Sequence, residues 1–383
     1  MAKEEKKAPK LRFNGYTNDW ERKELNNILK INSGRDYKQL NSGSIPVYGT
    51  GGYMLSVNDK LSDTDAVGIG RKGTIDKPLY LKAPFWTVDT LFYCISKESS
   101  DVKFIYLLFQ IINWKRYDES TGVPSLSKNT ISSIKTYVPK VKEQDHISKL
   151  FFSLDNTLQL HEDYLQLLYD FRSFLLQKMF SINDTFPNLR FKQFNDKWKY
   201  KKLGEVADIV SGGTPDTTKH DYWNGSINWY TPAEVGNKIF VSDSQRKITN
   251  IGLENSSAKI LPVGTVLFTS RAGIGKTAIL KEKGSTNQGF QSIVPKQKFL
   301  DSYFIFSMSN ILKKYGESHG VGSTFLEISG KELAKAKISL PSITEQKHIS
   351  KVLFKLDTII TFQKQKIDNL KKLKQFLLQN MFI

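Results

Sequence analysis

The stretch that decides the fold is residues 143–180, EQDHISKLFFSLDNTLQLHEDYLQLLYDFRSFLLQKMF. It contains neither proline nor glycine, and its apolar residues recur four and three positions apart. That spacing places them on one face of an α-helix as a heptad seam. Residues 345–382, EQKHISKVLFKLDTIITFQKQKIDNLKKLKQFLLQNMF, repeat the seam in the same register. We therefore predict two long helices, each with an apolar stripe to bury.

The two seams match position by position. Their apolar residues are Ile147, Phe151, Leu154, Leu158, Leu165, Leu168, Leu175 and Met179, and Ile349, Leu353, Leu356, Ile360, Ile367, Leu370, Leu377 and Met381. The polar interruptions also coincide, His161 with Gln363 and Arg172 with Lys374. A helix of about 38 residues is a rod of roughly 57 Å, too long for one small domain to cover. The simplest arrangement is an antiparallel coiled coil in which His161 faces Gln363 or a similar residue and fixes the register. Two long core helices in separate domains are the alternative.

The helices belong to an internal repeat. Its shared opening and helix-start residues are Leu11, Arg12, Phe13 and Trp20 with Leu189, Arg190, Phe191 and Trp198, and Pro139, Glu143 and Gln144 with Pro341, Glu345 and Gln346. The openings are 178 residues apart and the helix starts are 202 residues apart. The segment between the opening and the helix start, the middle of each repeat, is therefore 24 residues longer in the second repeat. Matching ends around unlike middles predict a pseudo-two-fold scaffold that carries two different domains.

Both middles are rich in glycine, aromatic and β-branched residues, a composition typical of short strands and turns. We also expect a strand at 264–269 and helices at 102–114 and 302–315. The fold class is therefore α+β, with two globular β-rich α/β domains separated by the long helices. The expected divisions are a flexible basic tail (1–10), a first domain (11–140), a central helix (141–188), a second domain (189–342) and a C-terminal helix (343–383).

The charge of the chain restricts its partners. Among 383 residues, 56 are Lys or Arg and 38 are Asp or Glu, which gives a formal charge of +18. Such a surface suits a nucleic acid, although a basic surface that only aids solubility is the alternative.

No apolar run approaches the roughly 18 residues of a membrane span, and the N-terminal tail lacks a secretion signal. Cys94 is the only cysteine, so no disulfide can form within the chain. We expect a cytoplasmic protein without a membrane partner.

Each middle places a basic glycine turn after an apolar strand, Arg71-Lys72-Gly73 in one and Arg271-Ala272-Gly273 with Lys276 in the other. Glycine allows a partner to approach the backbone, and arginine can bond phosphate or guanine bidentately. Loops with small hydroxyl residues follow at 120–128 and 320–329 and suit phosphate or base-edge contacts. Ordinary solvated turns are the competing interpretation. The predicted nucleic-acid contacts are Tyr48, Arg71, Lys72, Ser125, Lys128, Arg271, Lys276, Thr277, Gln288, Ser323 and Thr324.

The sequence carries no recognisable active site. Gly275-Lys276-Thr277 resembles the end of a phosphate-binding loop, but Ser270 stands where that motif requires glycine. Asp216 is not followed by the second carboxylate and lysine of a nuclease, and no Asn-Pro-Pro-Tyr or Asp-Pro-Pro-Tyr methylation motif occurs. The five histidines lack the spacing with cysteine of a metal site. We expect neither catalytic residues nor a metal site.

The duplicated order of these motifs resembles specificity subunits of Type I restriction-modification systems. The likeness covers residues 11–383 and includes Gly-Gly-Thr-Pro at 212–215, NQGFQS at 287–292 and the Pro and Glu-Gln helix starts. It implies two target-recognition domains, each reading one half of an asymmetric site in double-stranded DNA with a fixed spacer. The seam helices would hold them apart and dock two methyltransferase subunits, which restriction subunits would join.

The same resemblance implies a non-catalytic chain in a DNA-associated complex of the prokaryotic cytoplasm. S-adenosylmethionine, ATP and Mg²⁺ would belong to the partner subunits, and this chain would bind no cofactor. One alternative is a scaffold protein that recruits partner subunits without direct base readout, which salt-dependent binding to DNA of defined sequence would exclude. Another is a stand-alone enzyme, which would require activity in the purified chain. The residues do not specify the target sequence or the spacer length.

Overall fold

The structure is a computed structural model that describes residues 7–180, 186–271, 273–322 and 326–383. The chain divides into two compact units. Unit 1 contains Met1–Asp163 with Lys364–Ile383, and unit 2 contains Tyr164–Gln363. Each unit therefore combines one of the two middles with parts of both long helices.

Unit 1 contains three small sheets and three short helices. Its strands are β1 (Glu21–Glu24), β2 (Leu29–Ser33), β3 (Ser42–Gly49), β4 (Gly52–Val57), β5 (Ala66–Gly70), β6 (Leu79–Leu81), β7 (Trp86–Thr87), β8 (Leu91–Ser96) and β9 (Lys135–Val138). Its short helices are α1 (Leu25–Ile28), α2 (Val102–Ile111) and α3 (Lys128–Ser133). The sheet orders are β2-β8-β5-β6, β4-β3-β7 and β1-β9. Strands β3 and β7 run parallel, and the other pairs are antiparallel.

Helix α4 (Val141–Met179) precedes the other elements of unit 2 in the chain, and helix α10 (Ile343–Asn380) follows them. The strands of unit 2 are β10 (Lys199–Lys202), β11 (Ala207–Ser211), β12 (Trp223–Tyr230), β13 (Phe240–Val241), β14 (Arg246–Ile248), β15 (Val266–Phe268), β16 (Thr277–Leu280), β17 (Gly284–Thr286), β18 (Gln291–Pro295) and β19 (Lys337–Leu340). Its short helices are α5 (Leu203–Val206), α6 (Asn250–Glu254), α7 (Ser302–Ser307), α8 (Ser309–His319) and α9 (Gly330–Leu333). The sheet orders are β11-β18-β15-β16-β13, β14-β12-β17 and β10-β19.

The two units share one strand-pairing plan. Strand β8 pairs antiparallel with β2 and β5 in unit 1, as β18 does with β11 and β15 in unit 2. The parallel pair β3–β7 corresponds to β12–β17, and the ladder β1–β9 corresponds to β10–β19. The mixed helix-and-sheet fold and the internal repeat predicted from the sequence are confirmed.

The long helices run antiparallel within each unit. In unit 1, Lys371 pairs with Glu162 at 2.6 Å, and Lys374 pairs with Asp155 at 2.5 Å, so later residues of α10 meet earlier residues of α4. In unit 2, Arg172 bonds both carboxylate oxygens of Asp357, at 2.5 and 3.1 Å. The second and third pairs are repeat equivalents, because 172 and 374, like 155 and 357, differ by 202. The charged interruptions of the seam are therefore cross-helix ion pairs.

The repeated Glu-Gln pair fastens each long helix to its domain. In unit 1, the guanidinium of Arg12 donates to both carboxylate oxygens of Glu143, at 2.7 and 2.8 Å, and Trp20 Nε1 donates to the same group. Gln144 donates to Pro139 O and accepts from Asp101 N. The equivalent residues of unit 2, Arg190, Trp198, Glu345, Gln346, Pro341 and Asp301, repeat every one of these bonds. The pairing with Glu143 raises the pKa of Arg12.

The end of each long helix completes a domain core. In unit 1, Phe382 packs against Trp20 and Phe104, with ring centroids 6.2 and 5.5 Å away, and Leu11 N donates to Asn380 O. In unit 2, the repeat equivalents Phe180, Trp198 and Phe304 form the same cluster, and Leu189 N donates to Lys178 O. The aromatic residues at the helix ends are thus core residues of the domains.

Two predicted helices end differently in the structure. Helix α2 stops at Ile111, and Trp114–Tyr117 forms a 3₁₀ turn instead of a fourth helical turn. The helix expected at 302–315 is two helices that meet at Met308, whose ψ of 6° departs from helical geometry. Helix α8 also continues past Gly316 to His319. Gly316 packs against Ile274, where a Cβ would lie 2.7 Å from the isoleucine side chain. That glycine serves close packing and does not end the helix.

Candidate nucleic-acid interface

The two motifs predicted to bind in unit 1 form one structure. The turn after β5 is bonded to the hydroxyl-rich loop on both sides, Gly73 N to Pro124 O at 2.8 Å and Leu126 N to Arg71 O at 2.9 Å. Arg71 N also donates to Thr90 O, which fixes the turn against the start of β8. Gly73 has a φ of 99°, a conformation that favours glycine. The backbone thus holds a basic turn and a glycine-hinged loop side by side.

A cavity of about 780 Å³ lies between this turn and the loop. Its lining residues are Ser33, Arg71, Lys72, Phe92, Glu119, Ser120, Thr121, Gly122, Val123, Ser125, Leu126, Ser127 and Lys128. Four predicted contacts therefore meet there, namely Arg71, Lys72, Ser125 and Lys128. Tyr48 lies on β3 instead, packed edge to face against Tyr53, away from the cavity wall.

Two cationic side chains of the cavity lie over an aromatic ring. Arg71 Cζ and Lys128 Nζ lie 5.9 and 5.8 Å from the centroid of the Phe92 ring. The acidic residues of the loop accept hydrogen bonds that stabilise the loop. Glu119 accepts one from the Thr130 hydroxyl and one from Ser127 N. Backbone hydrogen bonds from the loop to the neighbouring Asp118 lower the pKa of that carboxyl. The site can therefore offer positive charge and hydroxyl groups to an anionic or hydrogen-bonding ligand.

The turn after β15 in unit 2 is built around Thr269. Its hydroxyl donates to Gly273 O at 2.7 Å and accepts from Lys276 N at 2.9 Å. Gly273 and Gly275 have φ values of 104° and 90°. Lys276 is exposed and Arg271 is half-buried. Thr277, by contrast, is 8% exposed within β16 and belongs to the core side of the turn.

The second loop reaches the same turn. Ile328 N donates to Ser270 O at 3.0 Å, and Ser270 N donates to Gly289 O at 2.8 Å. Exposed Gln288 lies next to Gly289, and its amide oxygen accepts a bond from the Thr214 hydroxyl. The predicted contacts Ser323 and Thr324 lie outside the described residues. Unit 2 therefore joins Arg271, Lys276 and Gln288 around one turn, as unit 1 joins its four.

The strand registers show which positions of the two turns correspond. Arg71 N bonds Thr90 O and Arg71 O accepts from Leu126 N, whereas in unit 2 the same two bonds are made by Ser270. Ser270 is thus the counterpart of Arg71, and Lys72 is the counterpart of Arg271. The spacing of the glycines differs between the turns, so only the pairing of the strands reveals this register.

The two sites also differ at the position that Phe92 occupies in unit 1. Leu91 pairs with Gly70 and Phe290 pairs with Thr269, so Phe92 in unit 1 corresponds to Gln291 in unit 2. Gln291 Oε1 accepts from the Ser211 hydroxyl at 2.8 Å. The corresponding residue is an aromatic ring in unit 1 and an amide in unit 2. These positions give the two units different chemistry on the same backbone.

The predicted seam residues are all buried or half-buried. Ile147, Leu168, Ile349, Leu356 and Gln363 are buried, and Leu154, His161 and Leu370 are half-buried. His161 and Gln363 each have an interaction partner.

A second apolar stripe, which the sequence reading missed, lies exposed on the unit 2 part of α4. It consists of Tyr164, Leu167, Phe171 and Phe174, of which Leu167 is 63% exposed. Their repeat equivalents on the unit 1 part of α10 are Lys366, Asn369, Leu373 and Phe376, so two apolar positions become polar there. The four-and-three spacing of the stripe was the available signal.

Three further observations concern metal ligands, the thiol and the helices in the part of the chain that the structure describes. It contains no group of three or more His, Cys, Asp and Glu residues placed to hold a metal ion. Cys94 is fully buried in β8, and burial raises the pKa of its thiol to about 12. Within the described ranges, none of the helices is both long and apolar enough to cross a membrane.

The chain is similar to known proteins in sequence and in fold. The profile of the Type I restriction modification DNA specificity domain matches residues 17–169 and 195–372. The Type I restriction enzyme MjaIX specificity subunit of Methanocaldococcus jannaschii is 36% identical over 189 residues, 49% of this chain and 44% of the relative. The EcoR124I/EcoR124II specificity subunit of Escherichia coli is 31% identical over 180 residues, 45% of this chain and 43% of the relative. The chain thus spans less than half the length of either relative.

A solved structure extends the likeness to the whole fold. The S subunit of a Type I restriction-modification system from M. genitalium superposes with a TM-score of 0.69 at 16% identity, over 98% of this chain and 99% of that one. Because the family profile matches both repeats and most of the residues between their ends, this chain belongs to the specificity subunits of Type I restriction-modification systems.

Proposed function

We propose that this chain reads an asymmetric, bipartite site in double-stranded DNA, with one unit for each half-site. The observation that carries this proposal is the pair of basic turn-and-loop sites, which share one backbone plan but differ in side chains. Arg71 and Phe92 in unit 1 stand where Ser270 and Gln291 stand in unit 2. Base identity is read by side-chain donors and acceptors, so unlike side chains on a shared frame support unlike half-sites.

The long helices support a fixed spacer between the half-sites. Helix α4 contains 39 residues, which corresponds to a length of about 58 Å. That length equals roughly 17 base pairs at 3.4 Å each, enough to separate two half-sites by about one helical turn. The buried seam and the cross-helix ion pairs favour one register of the helix pair.

The exposed stripe on α4 supports docking of a protein partner. Leu167 and Phe171 are at least half exposed, in a contiguous apolar row of the kind that marks an interaction surface. In keeping with the family, the occupants would be two methyltransferase subunits, with restriction subunits joining that core. S-adenosylmethionine, ATP and Mg²⁺ would then be bound by those partners, and catalysis in the prokaryotic cytoplasm would be theirs.

Binding measured with the methyltransferase subunits present tests this function. The complex should bind a duplex containing its site more tightly than a scrambled duplex, with an affinity that falls steeply as salt rises. Equal binding to both duplexes would favour a scaffold that recruits partners without reading bases. Methyltransferase or nuclease activity in the purified chain alone would contradict a non-catalytic role.

A further inference from the structure

Arg246 in unit 2 is held over a pair of tryptophans. Its guanidinium carbon lies 3.7 Å from the centroid of the Trp223 ring and 5.5 Å from that of Trp229. The two rings meet edge to face, 5.0 Å apart, and both are buried. Arg246 itself is exposed on β14, an edge strand of its sheet. A cation–π stack of this kind orients a guanidinium without using its hydrogen-bond donors.

The stacked guanidinium has no polar partner among the residues that the structure describes. The neighbouring carboxylate of Asp243 pairs with Lys247 at 2.9 Å. The carboxylate of Asp216 instead accepts bonds from Thr218, at 2.9 Å from its N and 2.8 Å from its hydroxyl. Arg246 therefore combines a fixed position with five unused N–H donors, whereas an apolar side chain would suffice merely to cover the indoles.

Hydrogen bonds connect this stack to the candidate interface of unit 2. Trp229 Nε1 donates to Gly213 O at 2.8 Å, and Trp223 Nε1 donates to Asp216 O at 3.0 Å. Between those two residues, the Thr214 hydroxyl bonds Gln288. The Gly-Gly-Thr-Pro segment thus lies between the tryptophan pair and the turn that carries Gln288. The indoles position both Arg246 and a predicted DNA contact.

Unit 1 has no equivalent of this arginine. Trp229 pairs with Arg246 across β12 and β14, and in the corresponding strands Val47 pairs with Leu55. The parallel pairs Trp229–Ser285 and Val47–Trp86 fix that correspondence. Among the strands that the structure describes, this stack is therefore present in unit 2 and not in unit 1.

We propose that Arg246 is a DNA contact of unit 2, binding two acceptor atoms of the duplex with its guanidinium. Guanine O6 and N7 offer such a pair in the major groove, and two oxygens of a phosphate offer another. The inference rests on the proposed function, because it requires that unit 2 face DNA. It adds an arginine that no motif in the sequence identified.

The test uses the complex with methyltransferase and a duplex carrying the site mapped from methylated host DNA. Arg246→Met retains an apolar cover over Trp223 but removes the donors, and Arg246→Lys retains the charge but removes the fork. Lys247→Met is the matched control, since the same charge is removed one residue away. Thermal unfolding of each variant establishes that the fold persists.

Arg246→Met should weaken binding to the site by about tenfold, the order expected for one bidentate contact, and Lys247→Met should leave it close to wild type. If the contact is to guanine, the loss should occur only on the mapped site, and Arg246→Lys should not restore affinity. If the contact is to phosphate, every duplex should lose affinity, the salt slope should fall by about 0.9, and Arg246→Lys should restore part of the binding.

Wild-type affinity in a folded Arg246→Met complex, or an equal loss in Lys247→Met, would overturn the proposal while leaving the proposed function intact. A wild-type complex without salt-dependent binding to the mapped duplex would overturn both.

Discussion

At the scale of single residues, the buried pairs Arg12–Glu143 and Arg190–Glu345 explain why the repeat retains its Arg and Glu. Each carboxylate is nearly inaccessible, with Glu143 2% exposed, and each lies beside an indole donor. A buried charge is tolerated when it is paired and hydrogen-bonded, and is costly when its partner is removed. The two pairs therefore fasten the long helices to their domains.

Arg12→Met should destabilise unit 1 by about 3 kcal/mol, because Glu143 would remain buried without its partner. Urea unfolding of the variant measures this loss. The control is Lys23→Met, which removes a more exposed pair with Glu21 and should cost less than about 0.5 kcal/mol. Equal effects of the two substitutions would show that the buried pair does not stabilise the helix start.

Arg271 belongs to the turn of unit 2 and has no counterpart arginine at the same register position in unit 1. Arg271→Ala should weaken or relax recognition of one half-site by about 1 to 3 kcal/mol. Competition binding with duplexes altered in one half-site at a time measures the effect, with exposed Lys351→Ala on α10 as the control. An equal loss on random DNA would assign Arg271 to phosphate binding instead.

At the scale of elements, the heptad spacing predicted both long helices to within two residues at their N-termini. Periodicity is a local property of the chain, so the sequence contains it directly. The break at Met308 was not predictable, since no proline or glycine marks it, and the continuation of α8 past Gly316 to His319 was not predicted either. The packing of Gly316 against Ile274 is a tertiary contact, which the local sequence does not contain. The same reasoning applies to the site, where single turns were identified but their register and the Arg246 stack were not.

The stripe on α4 gives the docking proposal a direct test. Leu167→Glu should weaken binding of one methyltransferase subunit by about 2 kcal/mol, roughly thirtyfold, since the exposed leucine would no longer bury apolar surface. Native mass spectrometry of the complex reports the stoichiometry. Gln166→Glu, an exposed change outside the stripe on the same helix, should leave two subunits bound. Unchanged stoichiometry in both variants would show that the methyltransferase subunit docks at another surface.

The helix pair is proposed as the spacer between half-sites, and its length can be altered. Inserting four residues into α4 breaks the heptad and should change the spacer that the complex tolerates. Inserting seven residues at facing positions of both α4 and α10 adds a whole heptad to each helix and should preserve the seam while lengthening the helix pair. Binding to a series of duplexes with increasing spacers measures the preference. The same preferred spacer in both variants and wild type would contradict the role of the helices as a ruler.

At the scale of the whole molecule, duplication has separated two tasks. The repeat ends supply helices, buried ion pairs and aromatic clusters that are the same in both units, such as Trp20–Phe104 and Trp198–Phe304. The middles keep the strand plan but change the residues at the turns, where Phe92 and Gln291 differ. The shared parts suit spacing and docking, and the changed parts suit the reading of two different sequences.

Mapping methylated bases in host DNA, with and without this chain, tests the central claim most directly. We expect methylation that depends on the chain and falls in one asymmetric motif, with two unlike half-sites separated by a spacer of constant length. Methylation that is unchanged when the chain is removed, or a single uninterrupted or palindromic motif, would contradict the assignment of one half-site to each unit.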